Sequence, residues 1–257
     1  MRDVFVGGLG VWTTGVAGVA QWRSGARDAA VVEPRCAIIP PRLGRFTSLV
    51  TRMAAEALAQ AAAQGQPDLA RVVTVYGSAN GEIQTALQVL DAVHAEGLPS
   101  PARFKNSVHN TAAGHVSIAT GNRELSTALA AGERTFAMCL LEAFAILEER
   151  GGAVLVSVAD ESLPPPLDAF GVYAPLAVAF SLSAEPPPSG ALGRLSSLRL
   201  APGAATLPAT MPAELAKNPC AAALPLLDAL VAGRSGTAPL ELSGNGWCVE
   251  LASGGAA

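Results

Sequence analysis

The sequence predicts an α/β fold in which helices cover both faces of a central sheet. Short apolar segments rich in β-branched residues alternate with longer segments of helical periodicity, and no internal repeat organises them. The strand candidates are apolar throughout, which is typical of strands buried on both faces. With 257 residues, half of them hydrophobic, the chain can bury a substantial core as a single compact unit.

The first half opens with a strand and a long helix. Residues 4–6 form an apolar run, and the glycine-rich residues 7–10 predict that this strand leaves through a glycine turn. Residues 46–63 have helical periodicity, with a stripe of mostly small apolar side chains suited to close packing. The stripe repeats every four residues at Leu49, Met53, Ala57 and Ala61.

The middle of the chain continues the alternation of strands and helices. In chain order we expect a strand at 72–76, a helix at 83–95, a loop at 98–102, a helix from near Ala130 to Arg150, and strands at 153–158 and 176–182. Two triple-proline runs, at 164–166 and 186–188, bracket the last of these strands and indicate surface loops.

The C-terminal part predicts one more helix and a hairpin. Asn218 followed by Pro219 is a good N-cap with proline at the first helical position, and the helix should run to about Val231. Residues 240–242 and 247–251 then predict a hairpin through the turn residues 243–246.

Composition excludes several classes of function. A formal charge of −4 with 15% charged residues gives no basic surface for nucleic acid. The sequence has no run of about 18 or more uninterrupted apolar residues, so we expect no membrane-spanning segment. The four cysteines are scattered without metal-ligand spacing, which favours reduced, buried thiols in a cytoplasmic protein. Residues 16–20 only superficially match a signal-peptide cleavage site.

Three short motifs are too weak to carry chemistry. Residues 8–13 half-match a dinucleotide fingerprint but lack its third glycine. Ser78, within 77–81, lacks the order of a nucleophile elbow and is expected to be a turn residue. His109 and His115 stand six residues apart, which is neither a helical nor a strand pairing for a metal, so no metal site is predicted.

The most informative segment is Ser126-Thr127-Ala128-Leu129-Ala130-Ala131-Gly132. It resembles the nucleophile turn of β-ketoacyl synthases, with Leu129 where that family has its cysteine. In the family, helix-start amides activate the thiol and stabilise the oxyanion. The resemblance therefore implies a chain that holds no acyl group, with Leu129 buried at the start of a helix. The family's two C-terminal catalytic histidines also have no match, since no histidine follows His115.

Other segments match the same family in the same order. They are the opening strand, the 45–56 helix and the block from Phe104 to Gly121. The resemblance implies a thiolase-like layered α/β sandwich. It divides a single 1–257 domain into a ketosynthase N-terminal-like part, 1–160, and a strongly shortened C-terminal part, 161–257.

Within the family, Ser107-Val108-His109-Asn110 and Leu141-Glu142-Ala143 resemble the chain length factors of bacterial aryl polyene pathways. This implies a non-catalytic subunit that pairs with a catalytic ketosynthase, shapes its acyl tunnel, meets acyl carrier protein only indirectly and needs no cofactor. The tunnel gate maps onto Phe104, Ser107, Val108 and His109. Asn110, His115, Ser117 and Thr127 map onto the partner interface.

Alternatives stay open at this point. Cys139 or Ser126 could serve as the nucleophile of an independent acyl-transferring or thioester-hydrolysing enzyme, although no histidine base is evident near either. The chain could also be a self-associating scaffold that binds acyl chains. Phe104 could pack in the core rather than form a gate, and both His109 and His115 could simply satisfy backbone groups.

Overall fold

The computed structural model describes residues 2–45, 47–165, 167, 171–201, 211–242 and 246–254. Within these ranges the strands are β1 (Val4–Thr13), β2 (Val73–Gly77), β3 (Ser126–Leu129), β4 (Ala153–Asp160), β5 (Leu176–Ser183), β6 (Gly193–Ala201), β7 (Gly236–Pro239) and β8 (Gly246–Ser253). The helices are α1 (Val19–Ser24), α2 (Pro41–Gly44), α3 (Leu49–Gly65), α4 (Ile83–Glu96), α5 (Pro101–Phe104), α6 (Thr111–Thr120), α7 (Thr135–Arg150) and α8 (Leu224–Val231).

All of these strands belong to one mixed sheet in the order β3-β2-β4-β5-β1-β6-β8-β7. β2 pairs in parallel with both β3 and β4, whereas the other pairings are antiparallel. Helices connect the parallel strands, as such connections require. β3 is left at one edge of the sheet, with a neighbour on one side only.

Helices cover both faces of the sheet, as the apolar strands predicted. On one face α3 packs over residues such as Trp12 and Leu155. On the other face α7 and α8 cover a second cluster, in which the rings of Phe136 and Phe180 stack with centroids 5.4 Å apart. Two clusters on opposite faces of one sheet give a three-layer α/β arrangement.

The predicted glycine turn after residue 6 is wrong, because β1 continues through Gly7, Gly8 and Gly10 to Thr13. A Cβ on Gly8 or Gly10 would collide with the backbone oxygens of Ala61 and Ala57 in α3. The glycines therefore let the small-residue stripe of α3 lie directly on β1. Their role is packing between backbones rather than chain reversal.

The other helices and strands agree with their predicted positions to different degrees. α4 and β5 lie within a residue or two of their predicted bounds, and β6 was not predicted. Asn218 does cap, since its side chain accepts a hydrogen bond from the Cys220 amide, but the first turn is a 3₁₀ helix before α8.

β7 and β8 do pair as a hairpin, but the first strand lies at Gly236–Pro239 rather than at 240–242, and Gly246, a predicted turn residue, begins β8. The other predicted turn residues, 243–245, lie outside the described residues. Phe46, the predicted start of α3, also lies outside them.

Candidate functional site

Leu129 ends the edge strand β3, opposite Gly77 of β2. It is half-buried, and its carbonyl accepts a hydrogen bond from the Ser78 amide over 3.1 Å. The expectation that it is buried at the start of a helix is therefore wrong. A turn separates it from α7: Gly132 has φ +58°, and Thr135 Oγ1 accepts from the Ala131 amide over 3.0 Å and donates to the Gly132 carbonyl over 2.7 Å.

The turn from Leu129 to Gly132 contains only Leu, Ala and Gly side chains. Cys139 lies on α7 with no exposed surface, and burial raises the pKa of its thiol to about 12. A thiol with such a pKa is almost entirely protonated at neutral pH and is a poor nucleophile. Ser126 is exposed, and its Oγ accepts from Thr74 Oγ1 over 2.8 Å rather than contacting a base.

Three of the four gate candidates lie at the surface around the end of α5. Phe104 is 57% exposed and Val108 is 41% exposed. The Ser107 hydroxyl donates to the Phe104 carbonyl over 2.8 Å. The alternative that Phe104 is a core residue is thus wrong, because more than half of its surface faces solvent.

His109 differs from the other three because its ring turns inward. It is half-buried, and Nε2 lies 2.9 Å from the carbonyl oxygen of Ser78. The ring also lies over Gly81, where an added Cβ would be 2.9 Å from His109 Cδ2. Glu82 is close enough for the charge of His109 to lower its pKa, although burial outweighs this and raises it.

The four candidate interface residues lie on α6 and on β3. Asn110 is exposed at the start of α6, and the half-buried Thr127 lies in β3. His115 is half-buried with Nε2 3.3 Å from Asn106 Oδ1, and burial together with Lys105 lowers its pKa. The Ser117 hydroxyl is used internally, donating to the Asn122 carbonyl over 2.6 Å. The structure places Asn110 and His115 together with Val108 around a shallow cleft of about 210 Å³, and it leaves Ser117 and Thr127 out of that cleft.

The segment of the chain that carries this cleft also presents an exposed apolar surface, of which Val108 and Ile118 line the cleft itself. It consists of large side chains at least 39% exposed on α4, α5, α6 and the loops next to them. We call it the α4–α6 surface; its members are Leu90, Val93, Leu98, Phe104, Val108, Ile118 and Leu125. So many exposed large apolar side chains on neighbouring elements indicate an interaction site.

Sequence reasoning missed a buried carboxylate, Asp160, at the end of β4. It has no exposed surface, and burial raises its pKa even though several hydrogen bonds lower it. Oδ1 accepts from Ser78 Oγ and the Asn80 amide, and Oδ2 accepts from the Ala79 amide and Cys220 Sγ. An acidic pair at the carboxyl end of a central strand was the signal available in the sequence.

The second member of that pair, Glu161, faces another buried carboxylate, Glu82. Burial, with the charges of Glu82 and Asp160, raises the pKa of Glu161 to about 7. Glu82 is satisfied by the hydroxyls of Ser48, Thr51 and Thr85. One oxygen of Glu161, Oε1, is buried without a partner among the described residues, beside a polar cavity of about 320 Å³.

Two kinds of feature are absent from the described residues. No group of three or more His, Cys, Asp and Glu side chains there could hold a metal ion. No described helix has both the length and the apolar character needed to cross a membrane.

Comparison with known proteins identifies what this arrangement resembles. The family model "Beta-ketoacyl synthase, N-terminal domain" matches residues 19–248. No curated protein matches the sequence.

Solved structures share the fold. One is the ketosynthase ApeO in complex with its chain length factor ApeC from Xenorhabdus doucetiae, at 20% identity and TM-score 0.71, covering 97% of this chain and 100% of the matched one. The ishigamide ketosynthase/chain length factor matches at 16% identity and TM-score 0.71, covering 97% and 98%. A β-ketoacyl synthase from Burkholderia phymatum STM815 matches at 14% identity and TM-score 0.61, covering 81% and 66%. The fold is thus the thiolase-like α/β fold that the sequence predicted.

Proposed function

Because the chain belongs to the β-ketoacyl synthase family, through the N-terminal domain matched over residues 19–248, we propose that it is a chain length factor. In this role it pairs with a catalytic β-ketoacyl synthase and shapes the acyl tunnel of that partner without forming an acyl-enzyme itself. The products belong to polyene, polyketide or fatty-acid-type biosynthesis.

One observation carries the proposal: the turn that follows β3 has no nucleophile. Acyl transfer through a covalent intermediate needs an activated Ser, Cys or comparable group with a base in reach. Leu129 and its neighbours up to Gly132 offer none, and Cys139 is buried as a protonated thiol. The family's chemistry would therefore have to come from the partner.

The lengths of the matched chains support the same role. This chain covers 100% and 98% of the chains matched in the two complexes that contain a chain length factor. It covers 66% of the B. phymatum β-ketoacyl synthase. The segments present here therefore correspond to a whole chain in those complexes and to part of a chain in that synthase.

The partner would bind at the β3 edge and the adjoining α4–α6 surface. No strand of the described residues lies on the outer side of β3, and such an edge presents backbone N–H and C=O groups that another chain can pair with. Exposed apolar residues such as Ile118, 69% exposed, would become the buried core of the interface. Obligate interfaces of this kind bury on the order of 2,000 Å² or more.

Two of the gate candidates, Phe104 and Val108, belong to this surface, and Ser107 and His109 adjoin them in the chain, where a tunnel crossing from the partner would end. Phe104 and Val108 are exposed in the isolated chain and are free to contact the partner or its acyl chain. His109 is already fixed against the Ser78 turn. Together they would limit the length of the acyl chain from the far end of the tunnel.

Two measurements test the proposal. The chain should co-purify with a ketosynthase encoded beside its own gene when the two are co-expressed, and product formation should need both subunits. Intact-protein mass spectrometry after incubation with an acyl thioester should place the acyl group on the ketosynthase only. A stoichiometric acyl adduct on this chain, or turnover by this chain alone, would contradict the non-catalytic role.

A further inference from the structure

A single buried carboxylate holds the turn that follows β2. Asp160 Oδ1 accepts from Ser78 Oγ over 2.7 Å and from the Asn80 amide over 2.9 Å, and Oδ2 accepts from the Ala79 amide over 3.0 Å. The Ser78 hydroxyl in turn accepts from the Gly81 amide over 2.7 Å. The conformation of residues 78–81 therefore depends on a side chain from another strand, 79 or more residues away in sequence.

The same turn fixes the ring of His109. A carbonyl oxygen can only accept, so the 2.9 Å contact to Ser78 O requires that His109 Nε2 carry a proton. Gly81, at φ +57°, brings its backbone under the ring where a side chain would not fit. One hydrogen bond and one close packing contact thus set both the tautomer and the position of the imidazole.

A narrow cavity of about 20 Å³ lies beside this ring, with room for about one water molecule. Small residues make up much of its wall: Ala54, Gly77, Gly81, Ala112 and Ala159. These side chains cannot move out of the way to enlarge it. Val50, Tyr76 and Glu82 also line the cavity but are buried. The half-buried His109, in contrast, lies in the loop before α6 and is the large wall residue that can move outward.

We propose that Asp160 is a positioning residue that holds His109, through the 78–81 turn, as the stop that limits how deeply an acyl chain can enter. This inference rests on the proposed function, and it adds a fixed, inward-turned stop at His109 to the exposed gate candidates Phe104 and Val108. Asp160 itself, with no exposed surface, does not touch the acyl chain.

The test compares variants of the network by histidine ¹⁵N NMR and by product length. The chain has three histidines, so ¹⁵N-histidine labelling with His94→Asn and His115→Asn for assignment isolates the His109 signal. Spectra are recorded on the chain as purified, alone or with its partner. Wild type should show one fixed tautomer with Nε2 protonated.

Asp160→Asn replaces one acceptor oxygen by a donor NH₂ and should release the turn. We expect loss of the single tautomer at His109 and a shift of products towards longer chains in the reconstituted heterodimer. Gly81→Ala is the second variant, used in case Asp160→Asn does not fold, because its Cβ would push the ring aside. Asp228→Asn is the matched control: it makes the same change at a carboxylate of α8 that accepts from Trp22 Nε1, so both readouts should stay as in wild type.

An unchanged His109 tautomer in every folded variant of Asp160 or Gly81 would overturn the positioning role. A changed tautomer with unchanged product length would overturn the role of His109 as the stop. Failure of the chain to bind any ketosynthase would instead refute the proposed function. In that case the NMR measurement on the isolated chain would still show whether Asp160 positions His109.

Discussion

Leu129 and Gly77 are paired across the parallel ladder between β3 and β2, and the thiol of Cys139 lies directly against that glycine. A Cβ on Gly77 would be 2.5 Å from Cys139 Sγ, which leaves no space for a substrate between them. The position that ends β3 and the cysteine on α7 are therefore separated by packed backbone. The buried thiol cannot take over the chemistry that the family carries out at the end of this strand.

Restoring a cysteine at the end of β3 should not restore an enzyme. Leu129→Cys places a thiol on a half-buried position, but no histidine follows His115 in the sequence to match either of the two catalytic histidines of the family. We expect slow, substoichiometric acylation and turnover orders of magnitude below that of a ketosynthase. Intact-protein mass spectrometry and a thioester-turnover assay measure both, and rapid single-site acylation with turnover would contradict the assignment.

Shortening the exposed gate candidates should lengthen the products without unfolding the protein. Phe104 is 57% exposed, so Phe104→Ala should destabilise by about 1 kcal/mol or less, against about 3–5 kcal/mol for a core phenylalanine. Phe104→Ala and Val108→Ala are assayed in the heterodimer by chromatography and mass spectrometry of released products. Leu200→Ala, at a 62% exposed position on β6, is the control and should leave product length unchanged. Unchanged length at all four gate positions would reject this gate.

A charge on the α4–α6 surface should prevent pairing with the ketosynthase. Ile118 is 69% exposed, so Ile118→Asp should fold normally, yet it would bury an unpaired carboxylate in the interface. We expect loss of co-purification and a thermal midpoint of the isolated chain close to that of wild type. Leu200→Asp is the matched control and should bind as wild type does. Equal binding of both variants would remove this surface from the interface.

The succession of strands and helices could be read from the sequence, because it follows from local periodicity and turn residues. The continuation of β1 through its glycines could not, because it depends on how closely α3 approaches. The start of α7 at Thr135 was likewise set by a local network, in which Thr135 ties back to Ala131 and Gly132, that apolar periodicity does not reveal.

Some residues of the candidate site could likewise be predicted from the sequence, and others could not. Leu129 and the block around His109 stood out because they match a family pattern along the chain. Asp160 and Glu161 did not, because their partners come from β2, α3 and α4 and meet only in the folded sheet. The acidic pair at the end of β4 was visible in the sequence, but its burial is a property of the packing and could not be predicted from that local pattern.

The buried carboxyl of Glu161 should make stability fall as pH rises from about 4.5 to about 7. Its pKa is raised from 4.5 to about 7 by burial and by the charges of Glu82 and Asp160, so the folded state binds the proton more tightly than the unfolded state does. The destabilisation is absent below the unfolded pKa, grows through this window and is complete above pH 7. Its size is on the order of 3 kcal/mol.

The Glu161→Gln variant has no carboxyl at this position to ionise, so its free energy of unfolding should change less between pH 4.5 and 7. It should be more stable than wild type at pH 8, and the difference in stability between the two proteins should be larger at pH 8 than at pH 5. Glu149→Gln, at the exposed end of α7, is the control and should follow the wild-type curve. Urea unfolding at a series of pH values measures the free energies. His115, whose pKa is lowered, is common to all three proteins, so the difference between curves reports the coupled titration of Glu161 with Glu82 and Asp160. Parallel curves for wild type and Glu161→Gln would mean that the pKa of this carboxyl does not change on folding.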